Sequence, residues 1–253
     1  MQHSKMDYSK RTIWLIGIAL IVKLALSFLL ELGNDEVYYY TYAVQPDWNH
    51  FDHPPLVGWM IQLSTLNLNW ISTLSMRLGS ILAAAISTWI VFQTGTLIKS
   101  ERAGWIAALL YTFSIYTSII AGMFIMPDSP QLLFFTWSIY WMTKLVVKPH
   151  LFSWINWLGL GILIGLATLS KVHGLYLWAG FGGYILFHQI KTLKQPFLYI
   201  AAFITICSIL PIVYWNIDND FITYKFHSKR VLHSGIQLAS FFQQIMGEFL
   251  YQN

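Results

Sequence analysis

From Ile13 to Leu30 the chain runs through 18 residues with a single charge, Lys23. In an apolar medium such a segment can satisfy its backbone N–H and C=O groups only within a helix or a closed barrel. About 20 helical residues cross the ~30 Å hydrocarbon layer of a bilayer. Comparable runs recur at 75–98, 103–124, 130–147, 154–170, 174–190 and 197–215, the first occupying 12–31. Another apolar stretch begins near Leu238 and continues to Asn253. The expected fold is all-α: a polytopic transmembrane helix bundle of about seven spans plus the start of an eighth. Only 10% of the residues are charged, against about 25% in soluble domains, which supports the same class.

Residues 1–253 read as a single transmembrane domain, the N-terminal part of a longer architecture. Lys5, Lys10 and Arg11 precede the first apolar run, and no small-residue cleavage site follows it, so the run reads as a retained span rather than a signal peptide. The net charge of +4 is modest, and no basic stretch is interleaved with aromatic residues. That argues against nucleic acid as a partner. Cys207 is the sole cysteine, which excludes an internal disulfide and a cysteine-based metal site.

Basic residues set the expected orientation. With the N-terminus in the cytoplasm, Lys5, Lys10, Arg11, Lys99, Arg102, Lys144, Lys148, Lys191 and Lys194 fall on the cytoplasmic side, nine of the 15 basic residues. Four polar segments then share the outward side: 31–56, 126–130, 169–174 and 215–230. Residues 32–74 are too long for an idle connection and read as an outer loop with a role of its own, containing short juxtamembrane helices.

That loop carries distinctive chemistry. In NDEVYYYTYA (34–43) a helix would place Asp35, Tyr38, Tyr39 and Tyr42 on one face. Aromatic rings stack on the C–H faces of a sugar, and a carboxylate accepts hydroxyl protons. The adjacent carboxylates of Asp35 and Glu36 repel, which favours one of them as a general base. A tyrosine belt at the membrane surface accounts for the same residues. In HFDHPPL (50–56), Pro54 and Pro55 stiffen the chain beside Asp52 and His53. A histidine held near a membrane surface can meet a lipid phosphate. His50, Asp52 and His53 are too few and too close in sequence to make a metal site compelling, so no metal is assigned and no cofactor is required.

Farther along, MPDSP (126–130) puts Asp128 at a helix start, where an N-cap or a cavity-facing acid both fit. Lys171 and His173 lie between two short spans, where a charge needs water, a partner or a headgroup. In YKFHSKR (224–230), Lys225, His227, Lys229 and Arg230 form a basic cluster suited to an anion or to anionic lipid.

Taken in order, NDEVYYYTYA, FDHPPL, MPDSPQLLFF, GLATLSKVHGLYL and LPIVYWNIDNDFITYKF resemble segments of membrane glycosyltransferases of the C superfamily. The nearest likeness is to the protein O-mannosyltransferases and the lipid A aminoarabinose transferases. The resemblance spans roughly 12–235. It implies inverting transfer of a sugar from a polyprenyl-phosphate donor to a lipid, glycan or protein acceptor at the outer face of a membrane, with no metal needed. It also implies a place in the cell envelope, in a bacterial inner (plasma) membrane. By this resemblance the catalytic candidates are Asp35 as base, Asp128 as an orienting acid, and Glu36. The substrate-binding candidates are His53, Tyr38, Tyr39, Asp52, Lys171, Lys225 and Arg230. A transporter or channel subunit, an inactive glycosyltransferase fragment and a membrane scaffold are the competing readings. An enzyme requires Asp35, His53 and Asp128 to converge on one cavity, and a scaffold would scatter them.

Overall fold

The computed structural model describes residues 7–149, 153–232 and 238–252. Every regular element among the described residues is helical. The first helix, α1 (Tyr8–Leu29), begins at Asp7, whose carboxylate accepts the Lys10 N–H at 3.0 Å. Two short helices follow, α2 (Asn34–Val44) and α3 (Leu56–Ser64). Ser72 and Ser75 then cap α4 (Thr73–Ile98), and Ser100 starts α5 (Glu101–Phe113) two residues after α4 ends. The bundle continues through α6 (Asp128–Val147), α7 (Trp154–Ser170), α8 (Tyr176–His188) and α9 (Pro196–Asp218). Pro196 occupies the first turn of α9, where a missing N–H costs nothing. Helices α10 (Ile222–Leu232) and α11 (Leu238–Gln252) complete the described chain.

Among the described residues, three helices are long and apolar enough to cross a bilayer: α1, α4 and α9. The expected seven spans are thus only partly matched by length. Helix α6 has 20 residues but carries Asp128, Gln131 and Lys144. Helices α7 and α8 have 17 and 13 residues, and a 13-residue helix is only about 20 Å long. The expected span at 103–124 is not one helix. It stops at Phe113, turns extended at Ser114, and resumes as a π-helical turn over Tyr116–Ile120. The hydroxyl of Thr117 donates to the Tyr111 carbonyl, replacing helical pairing lost at the break.

Two apolar clusters hold the bundle. The larger joins α6, α7, α8 and α9 through Met142, Trp157, Leu160, Ile164, Phe181 and Ala201. Gly161 makes the α7–α9 approach possible, since a Cβ there would lie 2.4 Å from the Ala201 carbonyl oxygen. The smaller cluster joins α2 and α3 to α4 through Tyr39, Tyr42, Val57, Ile61 and Met76. It fixes the short helices against one end of the bundle. There α4 and α6 leave, while α7 and α9 arrive. After α9 the chain reverses through Asp220 and Phe221, both in the left-handed region at φ 52° and 57°. That turn lays α10 against the loop between α2 and α3.

Candidate active site

The polar segments gather at this end. Helix α2 is set by Glu36, whose carboxylate accepts the Gly33 N–H at 2.9 Å and so caps the helix start. The same carboxylate receives Arg77 of α4 in a two-pronged ion pair, at 2.8 Å from Nε and 2.6 Å from Nη2, and the Ile125 N–H at 3.2 Å. The guanidinium also donates to the carbonyls of Leu30 and Glu31. Glu36 and Arg77 are both buried, so this network ties the end of α1, α2, α4 and the strap before α6 together. The adjacent carboxylates therefore do not share one environment. Asp35 is exposed at the start of α2.

One turn on, the helical spacing brings three tyrosine rings into mutual edge contact. Tyr38, Tyr39 and Tyr42 lie with ring centroids 5.2–5.5 Å apart. Asp52 accepts hydrogen bonds from Tyr38 at 2.8 Å and from Tyr42. Its other oxygen lies 3.9 Å from His53 Nε2. His50 stacks on Tyr42 with centroids 3.7 Å apart. His227 of α10 reaches the Asp52 carbonyl at 2.8 Å.

Across the site, Asp128 opens α6 and pairs with Lys171 at 2.9 Å. The Tyr116 hydroxyl, delivered by the π-helical turn, donates to the same carboxylate oxygen. Asp52, His53, Lys171, His173 and His227 line one cavity of about 290 Å³, together with Asn49, Asn216 and Thr223. Among the described residues no group of three or more His, Cys, Asp or Glu side chains is arranged to hold a metal ion.

Burial and charge tune these groups. Burial pushes His53 below its ordinary value, against the pull of Asp52, and Lys171 adds to the depression. Burial likewise lowers His50 and His173. Burial works to raise Asp128, just ahead of the 130–147 run, but Lys171 and the Tyr116 hydroxyl outweigh it and hold the carboxyl below the usual range. Burial raises Tyr39, and the charges of Asp52 and Asp35 raise it further. Burial and the bond to Asp52 raise Tyr42.

Among the candidate residues, Asp52, His53 and Lys171 line the cavity, and Asp128 joins it through Lys171. Tyr38 and Tyr39 stand behind Asp52. Asp35 and Lys225 are exposed and neither lines this cavity, so the expected convergence of Asp35, His53 and Asp128 is met only by His53 directly and by Asp128 through Lys171. The side chain of Arg230 lies outside the described residues. Tyr42, Tyr116, His173, His227, Asn49 and Asn216 were not among the candidates. His227 belonged to the basic cluster of 224–230, and Tyr42 shares the helical face of Asp35. Tyr116 had no local signal, because only a broken helix brings its hydroxyl to Asp128.

Fold and cavity together define an integral membrane protein with a charge-bearing chamber at one end of a helical bundle. The family model described as dolichyl-phosphate-mannose-protein mannosyltransferase matches residues 52–215. The chain belongs to that family and is a membrane glycosyltransferase. The match contains Asp52, His53, Asp128 and Lys171, and begins after Asp35 and Glu36. No curated protein and no solved structure matches the chain.

Proposed function

We propose that the protein transfers a sugar from a polyprenyl phosphate to an acceptor hydroxyl or phosphate, with inversion, at the outer face of a bacterial inner membrane. The observation that carries this reading is the cavity in which Lys171, paired with Asp128, stands among His53, His173 and His227. A lipid phosphate leaving the anomeric carbon develops charge that such groups stabilise. In the proposed step the acceptor oxygen bonds to the anomeric carbon as the carbon–phosphate oxygen bond breaks. The acceptor proton passes to a carboxylate, and the electron pair leaves with the lipid phosphate. The transition state carries positive charge at the anomeric carbon, as in glycoside hydrolysis.

Asp35 is assigned as the base. Its carboxylate is exposed, while Glu36 is committed to Arg77 and Asp128 to Lys171. Glu36 is accordingly assigned to positioning α2, and Asp128 to orienting Lys171. His53 and Lys171 hold the phosphate, Lys225 attracts it from the surface, and Arg230 is kept as a phosphate-binding candidate from the sequence. An apolar groove of about 550 Å³ lined by Trp59, Met60, Leu82, Ile86 and Phe134 receives the isoprenoid chain. It also touches Pro130, two residues from Asp128. The bundle is read as seven spans, with α5 and its π-helical turn together forming the third and the N-terminus in the cytoplasm.

The test is transfer of radiolabelled sugar from a panel of polyprenyl-phosphate sugars in membranes containing the protein. Wild type should transfer label, and Asp35→Asn should lose at least about a hundredfold in rate. Full activity in Asp35→Asn would remove Asp35 as base. Absence of transfer from every donor by folded protein would remove the reaction.

A further inference from the structure

Two fully buried asparagines stand on the wall of the same cavity. Asn49 is 1% exposed and Asn216 is 0% exposed. The Asn49 amide nitrogen donates to the His50 carbonyl at 2.9 Å and to the Thr223 hydroxyl at 3.0 Å. The Asn216 amide nitrogen donates to the Ile212 carbonyl at 3.0 Å. Each nitrogen thus faces a backbone carbonyl, which fixes the amide orientation, since the flipped form would set two oxygens face to face. Both amide oxygens are then left buried without a donor among the described residues. One such orphan is costly. Two on one cavity wall call for a ligand that brings hydrogen-bond donors.

Their chemistry also excludes one end of that ligand. Neutral carbonyl oxygens repel a phosphate and accept from hydroxyl groups. The cationic contacts for a phosphate lie on other parts of the wall, at Lys171, with His53 and His227 as further nitrogen donors. We propose that Asn49 and Asn216 form a subsite that reads hydroxyl groups on the sugar of the lipid-phosphate donor. The donor would then sit with its phosphate at Lys171 and its ring against α9 and the 47–53 loop. Asn49 also lines a second cavity with Asp47 and Trp215, so it lies between the two chambers. This subsite rests on the donor class proposed above.

The experiment compares binding of dolichyl phosphate with binding of dolichyl phosphates carrying mannose, glucose or galactose, using the full chain in lipid nanodiscs. At least one sugar-bearing lipid should bind about tenfold tighter than dolichyl phosphate, the size of one well-made hydrogen bond to a buried acceptor. Asn216→Leu should bring that ratio to about one. Asn216→Ser serves as a smaller variant should leucine disturb the fold, and it should lower the ratio likewise. A ratio kept in both variants overturns the proposal and leaves the amide oxygens to an ordered water. A wild-type ratio of one, with dolichyl phosphate bound, overturns the subsite but preserves the phosphate site. Failure to bind dolichyl phosphate at all removes the donor reading and the subsite with it.

Discussion

Asp128 and Lys171 show at residue scale how a charge is kept near a bilayer. Asp128 is buried, and the Lys171 side chain retains 24% exposure. Removing either partner leaves the other poorly solvated, which costs more than the pair itself contributes. Asp128→Asn and Lys171→Met should each lower stability by about 1–3 kcal/mol. The double variant should be less destabilised than the sum, with a coupling of about 1 kcal/mol or more. Thermal unfolding in detergent completes this cycle, and strict additivity would show that the pair does not act as a unit. The histidines add a pH dependence. Burial lowers His50, His53 and His173 below their ordinary value of 6.5. Between the lowered value and 6.5 the unfolded chain binds more protons than the folded one, so stability rises with pH there. The stabilisation from keeping these rings neutral is complete above pH 6.5 and declines on acidification below it. The melting temperature should therefore be lower at pH 5.5 than at pH 7.5. His53→Gln should narrow that difference, and an unchanged difference would exclude His53 as a contributor.

At the scale of elements, the site depends on how α2 and α3 meet. Gly58 of α3 lies so close to α2 that an added Cβ would sit 2.8 Å from the Tyr42 backbone. Gly58→Ala must part the two helices, at a cost of about 1–3 kcal/mol, and should loosen the tyrosine cluster beside Asp52. Gly180 of α8 has nothing within 4 Å of an added Cβ, so Gly180→Ala should be neutral or stabilise by up to about 1 kcal/mol. Melting temperatures and the near-ultraviolet tyrosine signal compare the pair; equal effects would refute the close-contact argument. The same elements mark how far local sequence reaches. A helical face at Asp35, Tyr38, Tyr39 and Tyr42 follows from periodicity, because neighbours three and four apart meet on any helix. The separate fates of Asp35 and Glu36 do not follow, because Arg77 arrives from 41 residues away. Asn49 meets Thr223 across 174 residues, and Asp47 meets Trp215 across 168. No local pattern encodes such pairings. The break after Phe113 escaped for a related reason. Ser114, Thr117 and Ser118 look tolerable in an apolar run until a hydroxyl takes over a backbone carbonyl.

For the whole molecule, the distribution of charge and the placement of the cavity make one joint statement. Lys99 and Arg102 lie at the turn between α4 and α5, Lys144 and Lys148 at the end of α6, and Lys191 and Lys194 before α9. Helices α4 and α6 begin beside the cavity, and α7 and α9 end there, so these basic residues fall at the other end. Cytoplasmic loops are enriched in Lys and Arg, which supports the proposed outward placement of the cavity. Because Cys207 is the sole cysteine, the arrangement can be tested on a Cys207→Ala background with single cysteines added one at a time. Asn69→Cys, between α3 and α4, should react with an impermeant thiol reagent in intact cells, as should Asp220→Cys beyond α9. Ser100→Cys and Thr192→Cys should react only after the membrane is opened. The reversed pattern would invert the protein in the membrane and place sugar transfer on the cytoplasmic face. Labelling of Asn69→Cys and Ser100→Cys from the same side would mean that α4 does not cross, and would break the seven-span reading.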